Sequence, residues 1–285
     1  MIKYDYEKSP QGIAVSNEER NFNYSSLTNI IEGLPKKEIR ILEIGCGGGR
    51  NLKILKNKFK DRIAIFGTDI SITAINYAIS LGIGDFAVSN SDKVPFSGNF
   101  DLILLIDILE HLDSKQEVTK TLDVALSKLN TDGKVYISLP IELNRFTLTW
   151  VFSKANLLKK LTHDFFGHTI QFSELDFMEI LNIKVVTIKE KFYSVHFMTQ
   201  LQMLFFFYIP KIALKLVFGD SAMLKTKDSN EIISGGKSFL SLIKPTFLLL
   251  SKPLSRLAYL ESSFRKSSKF GAGNIHLLIV KSQPL

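Results

Sequence analysis

A chain of 285 residues is long for one minimal domain and can bury a substantial core; 45% hydrophobic residues and a mean hydropathy of +0.12 are high for a freely dissolved protein. A single cysteine, Cys46, excludes an internal disulfide, and with neither a C-x-x-C pair nor a run of histidines no metal is expected. The net charge of +8 is uneven: residues 1–191 carry 24 basic and 24 acidic side chains and residues 192–285 carry 12 and 4, an asymmetry that points to an anionic partner.

Residues 1–24 read as a polar, irregular lead-in without an apolar signal core, so a cytoplasmic chain is expected. From Ser25 to Leu34 a capped helix is predicted, with Leu27, Ile30, Ile31 and Leu34 apolar and Pro35 as its stop. An apolar run over Ile39, Ile41, Leu42 and Ile44 then enters the cluster Gly45-Cys46-Gly47-Gly48-Gly49-Arg50, and a helical stretch follows from Asn51 to Phe59. That is strand, tight turn, helix N-terminus, a geometry whose free N–H groups suit a carboxylate or phosphate. Cys46 is read as a small residue that fits the turn rather than as a reactive thiol.

A dinucleotide fingerprint would need glycine at position 50, where Arg50 stands. The pattern E-x-G-x-G-x-G is complete from Glu43 through Gly45, Gly47 and Gly49. In this the chain resembles the class I S-adenosylmethionine-dependent methyltransferases. On this stretch alone, a strand-to-helix turn without any ligand is the alternative. The resemblance implies that Glu43 and the 45–49 backbone face the methionine end of the cofactor, that Arg50 meets its carboxylate, and that the first helix covers the site.

Ile63 to Asp69 is a second buried strand ending in a carboxylate, 24 residues beyond Gly45. One bidentate acceptor at that spacing suits two vicinal ribose hydroxyls, and the alternative is a cap on the next helix. Ile70 is expected against adenine. A third strand, Asp85 to Ser89, leads to Asn90-Ser91-Asp92-Lys93-Val94-Pro95-Phe96, similar to the D-A-x-x-L-P-F of many small-molecule methyltransferases. The resemblance puts Asn90, with Ser91 beside it, where the family's adenine-binding aspartate stands. Asp92 reads as solvated loop.

Phe100 to Ile106 is apolar almost throughout, as a parallel strand covered on both faces should be. With the following residues it spells F-D-L-I-L-L-I-D-I-L-E-H-L-D, which resembles the family's F-D-x-I-x-x-x-x-x-L-E-H-L and implies Asp107 at the cofactor. A helix from Val118 to Leu129, a turn over residues 130–133 and a fifth strand from Lys134 to Pro140 follow, then a basic, apolar helical stretch from Arg145 to Leu161. His168 and Ser173 lie in a segment resembling the family's G-H-x-x-x-F-S, with Ser173 capping a helix to Leu181. A sixth strand is expected from Ile183 to Tyr193 and a seventh, antiparallel, from Asn274 to Lys281.

The expected fold is therefore α/β: a Rossmann-like seven-stranded methyltransferase sheet, mostly parallel with the last strand antiparallel. Residues 25–193 form the core, 194–270 a helical insertion and 271–285 the last strand and tail. From Phe192 to Pro210 there is no Lys, Arg, Asp or Glu, yet two glutamines, a histidine and Pro210 argue against a membrane span. Leu240, Ile243, Phe247, Leu250, Leu254 and Leu257 recur at helical spacing with Lys237, Lys244, Lys252 and Arg256 off that stripe, and Pro245 and Pro253 divide the stretch. Residues 195–270 thus suit an anionic membrane surface at the inner face, or a helical cap packed on the domain; nucleic acid is not expected.

S-adenosylmethionine is the implied cofactor, and His111, His163 and His168 are candidate bases, of which His111 and His168 are carried forward as catalytic. The apolar insertion suggests a hydrophobic acceptor, methylated on oxygen, such as a quinone precursor or polyprenyl-linked saccharide. The alternatives are a soluble metabolite under an insertion that serves as lid, a non-catalytic cofactor-binding module, and a nucleotide-dependent oxidoreductase, which Arg50 disfavours.

Overall fold

The computed structural model describes residues 22–155, 166–209 and 253–282. Seven strands form one sheet in the order β3-β2-β1-β4-β5-β7-β6. They are β1 (Ile39–Ile44), β2 (Ile63–Asp69), β3 (Asp85–Val88), β4 (Phe100–Ile106), β5 (Leu129–Pro140), β6 (Val186–Ser194) and β7 (Asn274–Lys281). Strands β1 to β5 pair in parallel, while β7 runs antiparallel to both β5 and β6. The class I methyltransferase sheet is thus present.

Its centre is β4, all seven residues of which are buried. Alternate side chains enter different cores: Ile103 and Leu105 pack with Leu42, Val118, Leu122 and Phe177, whereas Leu102 and Leu104 pack with Ile41, Leu27, Leu52 and Leu55. This two-sided burial explains why β4 is a continuous apolar run rather than an alternating one. One face is covered by α1 (Phe22–Glu32), α2 (Arg50–Phe59) and α3 (Ile72–Ser80), the other by α4 (Lys115–Ser127) and α6 (Glu174–Asn182).

Most predicted elements stand within a few residues of their expected bounds, and β7 matches throughout. Three departures have local causes. The first helix starts at Phe22, inside the expected lead-in, and packs on β1 and α2 instead of covering the cleft described below. The 130–133 turn is absorbed into β5, where pairing with β4 jumps from Phe100↔Leu129 to Leu102↔Lys134. There Asn130 Nδ2 donates to Asp101 Oδ1 at 2.5 Å. Helix α4 begins at Lys115 because Ser114 caps it, its Oγ accepting Glu117 N–H at 3.2 Å. Ser173 caps α6 as expected, reciprocally with Asp176.

Of the insertion, α7 (Phe197–Met203) continues through a π-helical turn to Tyr208, and a further helix spans 253–264, with Pro253 at its start. The polar residues that argue against a membrane span are stitches between these pieces. Gln200 Nε2 donates to the carbonyls of Val195 and Gly271, and its Oε1 accepts Leu148 N–H at the start of α5 (Leu148–Lys154). Gln202 Nε2 donates to Ser255 Oγ, and a His196 ring nitrogen lies 3.0 Å from the Ser268 carbonyl. Among the described residues no helix is long and apolar enough to cross a membrane. The stripe from Lys237 to Lys252, Pro245, and residues 156–165 with His163 lie outside the described residues.

Candidate active site

The strand order reverses between β1 and β4, and the crevice outside their carboxyl ends is where open α/β sheets bind ligands. A cleft of about 530 Å³ lies there. The glycine turn shapes it: Gly45, Gly47 and Gly49 all have positive φ. At Gly45 (φ 76°) a Cβ would stand 2.1 Å from Ile108 Cδ1, so both conformation and space require glycine.

Asp69 holds the turn in place. Its Oδ2 accepts Gly47 N–H at 2.8 Å and its Oδ1 accepts Ser71 N–H at 2.9 Å, while the helix cap itself is made by Ser71 Oγ on Ala74 N–H. Glu43 is buried beneath the turn, with Oε1 accepting Asn51 Nδ2 at 2.7 Å and Oε2 bonded to nothing. Burial first, then the nearby Asp69 and Asp107 charges, push its carboxyl up to about 8 against the bond from Asn51. Burial also pushes the Cys46 thiol well up, in keeping with a packing role.

Of the residues expected at the cofactor, Glu43, Gly45, Cys46, Gly47, Arg50, Asp69, Ile70, Asn90, Ser91 and Asp107 all line this cleft. Gly49 does not: it is the left-handed N-cap of α2, packed against Ala78 and Phe86. Asp92, expected in solvent, lines the cleft instead, with Oδ1 buried and without a hydrogen-bond partner. Arg50 Nε is likewise buried and without one.

Beyond β4 and β5 lies a second cavity of about 460 Å³, walled by Leu148 and Thr149 of α5, Gln200, Met203 and Tyr208 of the insertion, and Phe166. Asp107 and His111 line both spaces and so mark their junction. Asp107 leaves β4 in the left-handed region (φ 49°), unusual for a non-glycine residue, and accepts Ser138 Oγ at 3.0 Å. Its open surface faces the two cavities, and this enclosure raises its carboxyl pKa despite that bond.

Four polar side chains gather at the junction. The 167–170 segment is pinned to the turn after β4, because Thr169 and Ile170 N–H both donate to the Glu110 carbonyl and Thr169 Oγ1 donates to the Leu112 carbonyl. That docking sets His168 against His111, ring centroids 4.9 Å apart. Glu142, just beyond the end of β5, places Oε1 2.7 Å from His168 Nδ1. Glu110 is 1% exposed, and neither of its carboxylate oxygens has a hydrogen-bond partner. Burial, with Asp107 and Glu142 nearby, pushes its carboxyl well up; burial, with His168 beside it, pushes His111 down to about 3. Glu110 and Glu142 are not among the residues expected from sequence at the site. An acid at the carboxyl end of a parallel strand was the available signal for Glu142.

A family model described as "Methyltransferase domain" matches residues 17–177. Among solved structures, the plantazolicin methyltransferase BamL in complex with a triazolic desmethylPZN analog and SAH is similar at 16% identity and TM-score 0.55, over 94% of this chain and 86% of that one. The [4+2]-cyclase SpnF is similar at 14% identity and TM-score 0.54, over 100% and 88%. At such identities the likeness is one of fold. No curated protein of matching sequence was found.

Proposed function

The chain belongs to the methyltransferase-domain family, and we propose that it moves a methyl group from S-adenosylmethionine, held in the cleft, to an acceptor held in the adjoining cavity. The observation that carries this reading is the junction at Asp107 and His111, where two separate spaces meet on the ligand side of the sheet.

The cleft's polar atoms fit the cofactor. Glu43 Oε2 and Arg50 Nε, buried and without hydrogen-bond partners, are complementary to an ammonium and a carboxylate, the two ends of an amino acid. Asp69 suits the ribose hydroxyls, Ile70, which is 54% exposed, the adenine face, and Asn90 or Asp92 the adenine amino group. When bound, S-adenosylmethionine supplies a methyl on a sulfonium, which passes to an in-line nucleophile as sulfur takes the bonding pair. The protein's part is to align the acceptor and exclude water. Glu43 and Arg50 anchor one end of the cleft, the insertion roofs the acceptor cavity, and His111 and His168 act on the acceptor at the junction.

The acceptor is hydrophobic. Leu148, Phe166, Met203 and Tyr208 supply apolar walls, which supports a greasy or lipid-linked molecule methylated on oxygen, of the quinone-precursor or polyprenyl-linked kind. Peripheral contact with an anionic membrane fits the outward Phe264 (85% exposed) beside Arg265 and Lys266. The insertion's own residues in the cavity wall favour a second role for it, as a lid over a smaller soluble acceptor.

Incubation with labelled S-adenosylmethionine and a lipid extract tests the reading: a labelled lipid product is expected. His168→Ala should lower turnover while leaving S-adenosylhomocysteine affinity intact. Cofactor binding without label in any acceptor, lipid or soluble, would favour the non-catalytic module, a use of the fold that likeness to a cyclase keeps in view.

A further inference from the structure

We propose that Glu110, His111 and His168 form a binding site for one divalent transition-metal cation, such as Zn²⁺, at the mouth of the acceptor cavity. One carboxylate oxygen of Glu110 and one ring nitrogen of each histidine lie within 4.8 Å of one another. Donors about 2.0–2.2 Å from a common tetrahedral zinc stand roughly 3.3–3.6 Å apart, so a closure of about an ångström, within reach of side-chain rotation, completes the set.

The surroundings prepare these atoms as ligands. His168 Nδ1 faces Glu142 Oε1 at 2.7 Å, which leaves Nε2 for a metal, 3.9 Å from Glu110 Oε1. His111 Nδ1 faces the Gly167 carbonyl at 3.2 Å, which fixes the orientation of the ring beside Glu110 and His168. A ligating imidazole whose other nitrogen donates to a carboxylate or carbonyl is the usual outer-shell arrangement of metal sites. Glu110 is the independent sign: a carboxylate 1% exposed, both oxygens without a hydrogen-bond partner, and too far from His168 at 3.9 Å to bond it directly. A cation between them would satisfy that group.

Two imidazoles and a carboxylate suit Zn²⁺, Fe²⁺, Mn²⁺ or Co²⁺ rather than the all-oxygen shells of Ca²⁺ and Mg²⁺. Sequence spacing hides the set, because His168 stands 57 residues beyond His111. The role of the ion rests on the methyltransferase reading. Three protein ligands leave positions open toward a cavity that Glu110, His111 and His168 all line, which suits an acceptor presenting oxygen donors.

The test uses the full chain, free of any affinity tag and stripped with a chelator. Titration with Co²⁺ should give visible absorption that saturates at one ion per chain and is displaced by Zn²⁺. Glu110→Gln and His168→Gln should abolish it, and Glu142→Gln should weaken binding by about 10–100-fold. None of these three residues lines the cofactor cleft, so retained S-adenosylhomocysteine heat reports that a variant is folded. X-ray absorption of the zinc-loaded wild type, independent of any variant, should give two imidazole nitrogens at about 2.0–2.1 Å and no sulfur. Absence of Co²⁺ absorption, a sulfur ligand, or equal affinity in folded Glu110→Gln would overturn the site. Normal S-adenosylhomocysteine binding in that case would leave the methyltransferase reading standing, whereas its loss from wild type would remove that reading instead.

Discussion

The carboxylate of Asp69, at the end of β2, accepts the backbone N–H of Gly47 in the turn after β1 at 2.8 Å, while its other oxygen takes Ser71 N–H. One side chain therefore ties together the ends of β1 and β2 on the wall of the cleft. Hydrogen bonds to a charged group are worth about 1.5–3 kcal/mol, so Asp69→Ala should weaken S-adenosylhomocysteine binding at least about tenfold and lower the melting temperature. Asp69→Asn should do little better, because an amide can accept only one of the two N–H groups and turns its own NH₂ on the other. Calorimetry on the three proteins checks this, and an unchanged affinity would separate Asp69 from ligand binding.

Glu43 makes a proton-linked prediction. Its carboxyl, pushed up to about 8 from 4.5, is held protonated near pH 7 in the free chain. A cofactor ammonium beside it would favour ionisation, so binding at about pH 7 should release close to one proton. Binding heats in buffers of different ionisation enthalpy measure this, and Glu43→Gln should abolish the difference. For the free fold the sign is the same. The raised pKa contributes stability that is full below about 4.5 and lost as pH rises toward 8, a slope that Glu43→Gln should flatten.

Asp92 is expected to matter although it stands two residues past the family's adenine position. Its buried Oδ1 without a partner lies on the cleft wall, where a donor from the ligand would relieve it. Asp92→Ala should therefore weaken S-adenosylhomocysteine by about tenfold, more than Asn90→Ala does. The reverse order would return the role to Asn90.

Gly67 lies inside β2 at an ordinary φ, yet a Cβ there would stand 2.7 Å from both Cys46 Sγ and Phe86 Cδ1. Gly67→Ala should destabilise the fold by about 1–3 kcal/mol through overpacking and push Cys46 against the glycine turn. A lowered denaturation midpoint with weakened S-adenosylhomocysteine binding is the expected pair of results.

Membrane contact predicts co-sedimentation with anionic vesicles, reduced by salt. Burial of one phenylalanine contributes about 1.5–3 kcal/mol, so Phe264→Ser should lower the vesicle partition coefficient by about tenfold or more without disturbing the fold. Equal pelleting of the variant, or of wild type with neutral vesicles, would leave the insertion a cavity lid only.

Much of this protein is determined by local sequence alone. Apolar runs ending in Gly45, Asp69, Asn90 and Asp107, with helical spacing between them, are enough to predict a parallel sheet and to place those residues at its carboxyl edge, because parallel strands joined by right-handed crossovers share one polarity. What only the tertiary structure decided depends on contacts between segments far apart in the chain. Thr169 docking on Glu110 brings His168 to His111, the end of β5 delivers Glu142, and Gln200 ties the insertion to α5 beside the second cavity. Periodicity carries no record of such meetings: each depends on a particular hydrogen bond between elements, and the chemistry at the junction belongs to the cluster rather than to any stretch of chain.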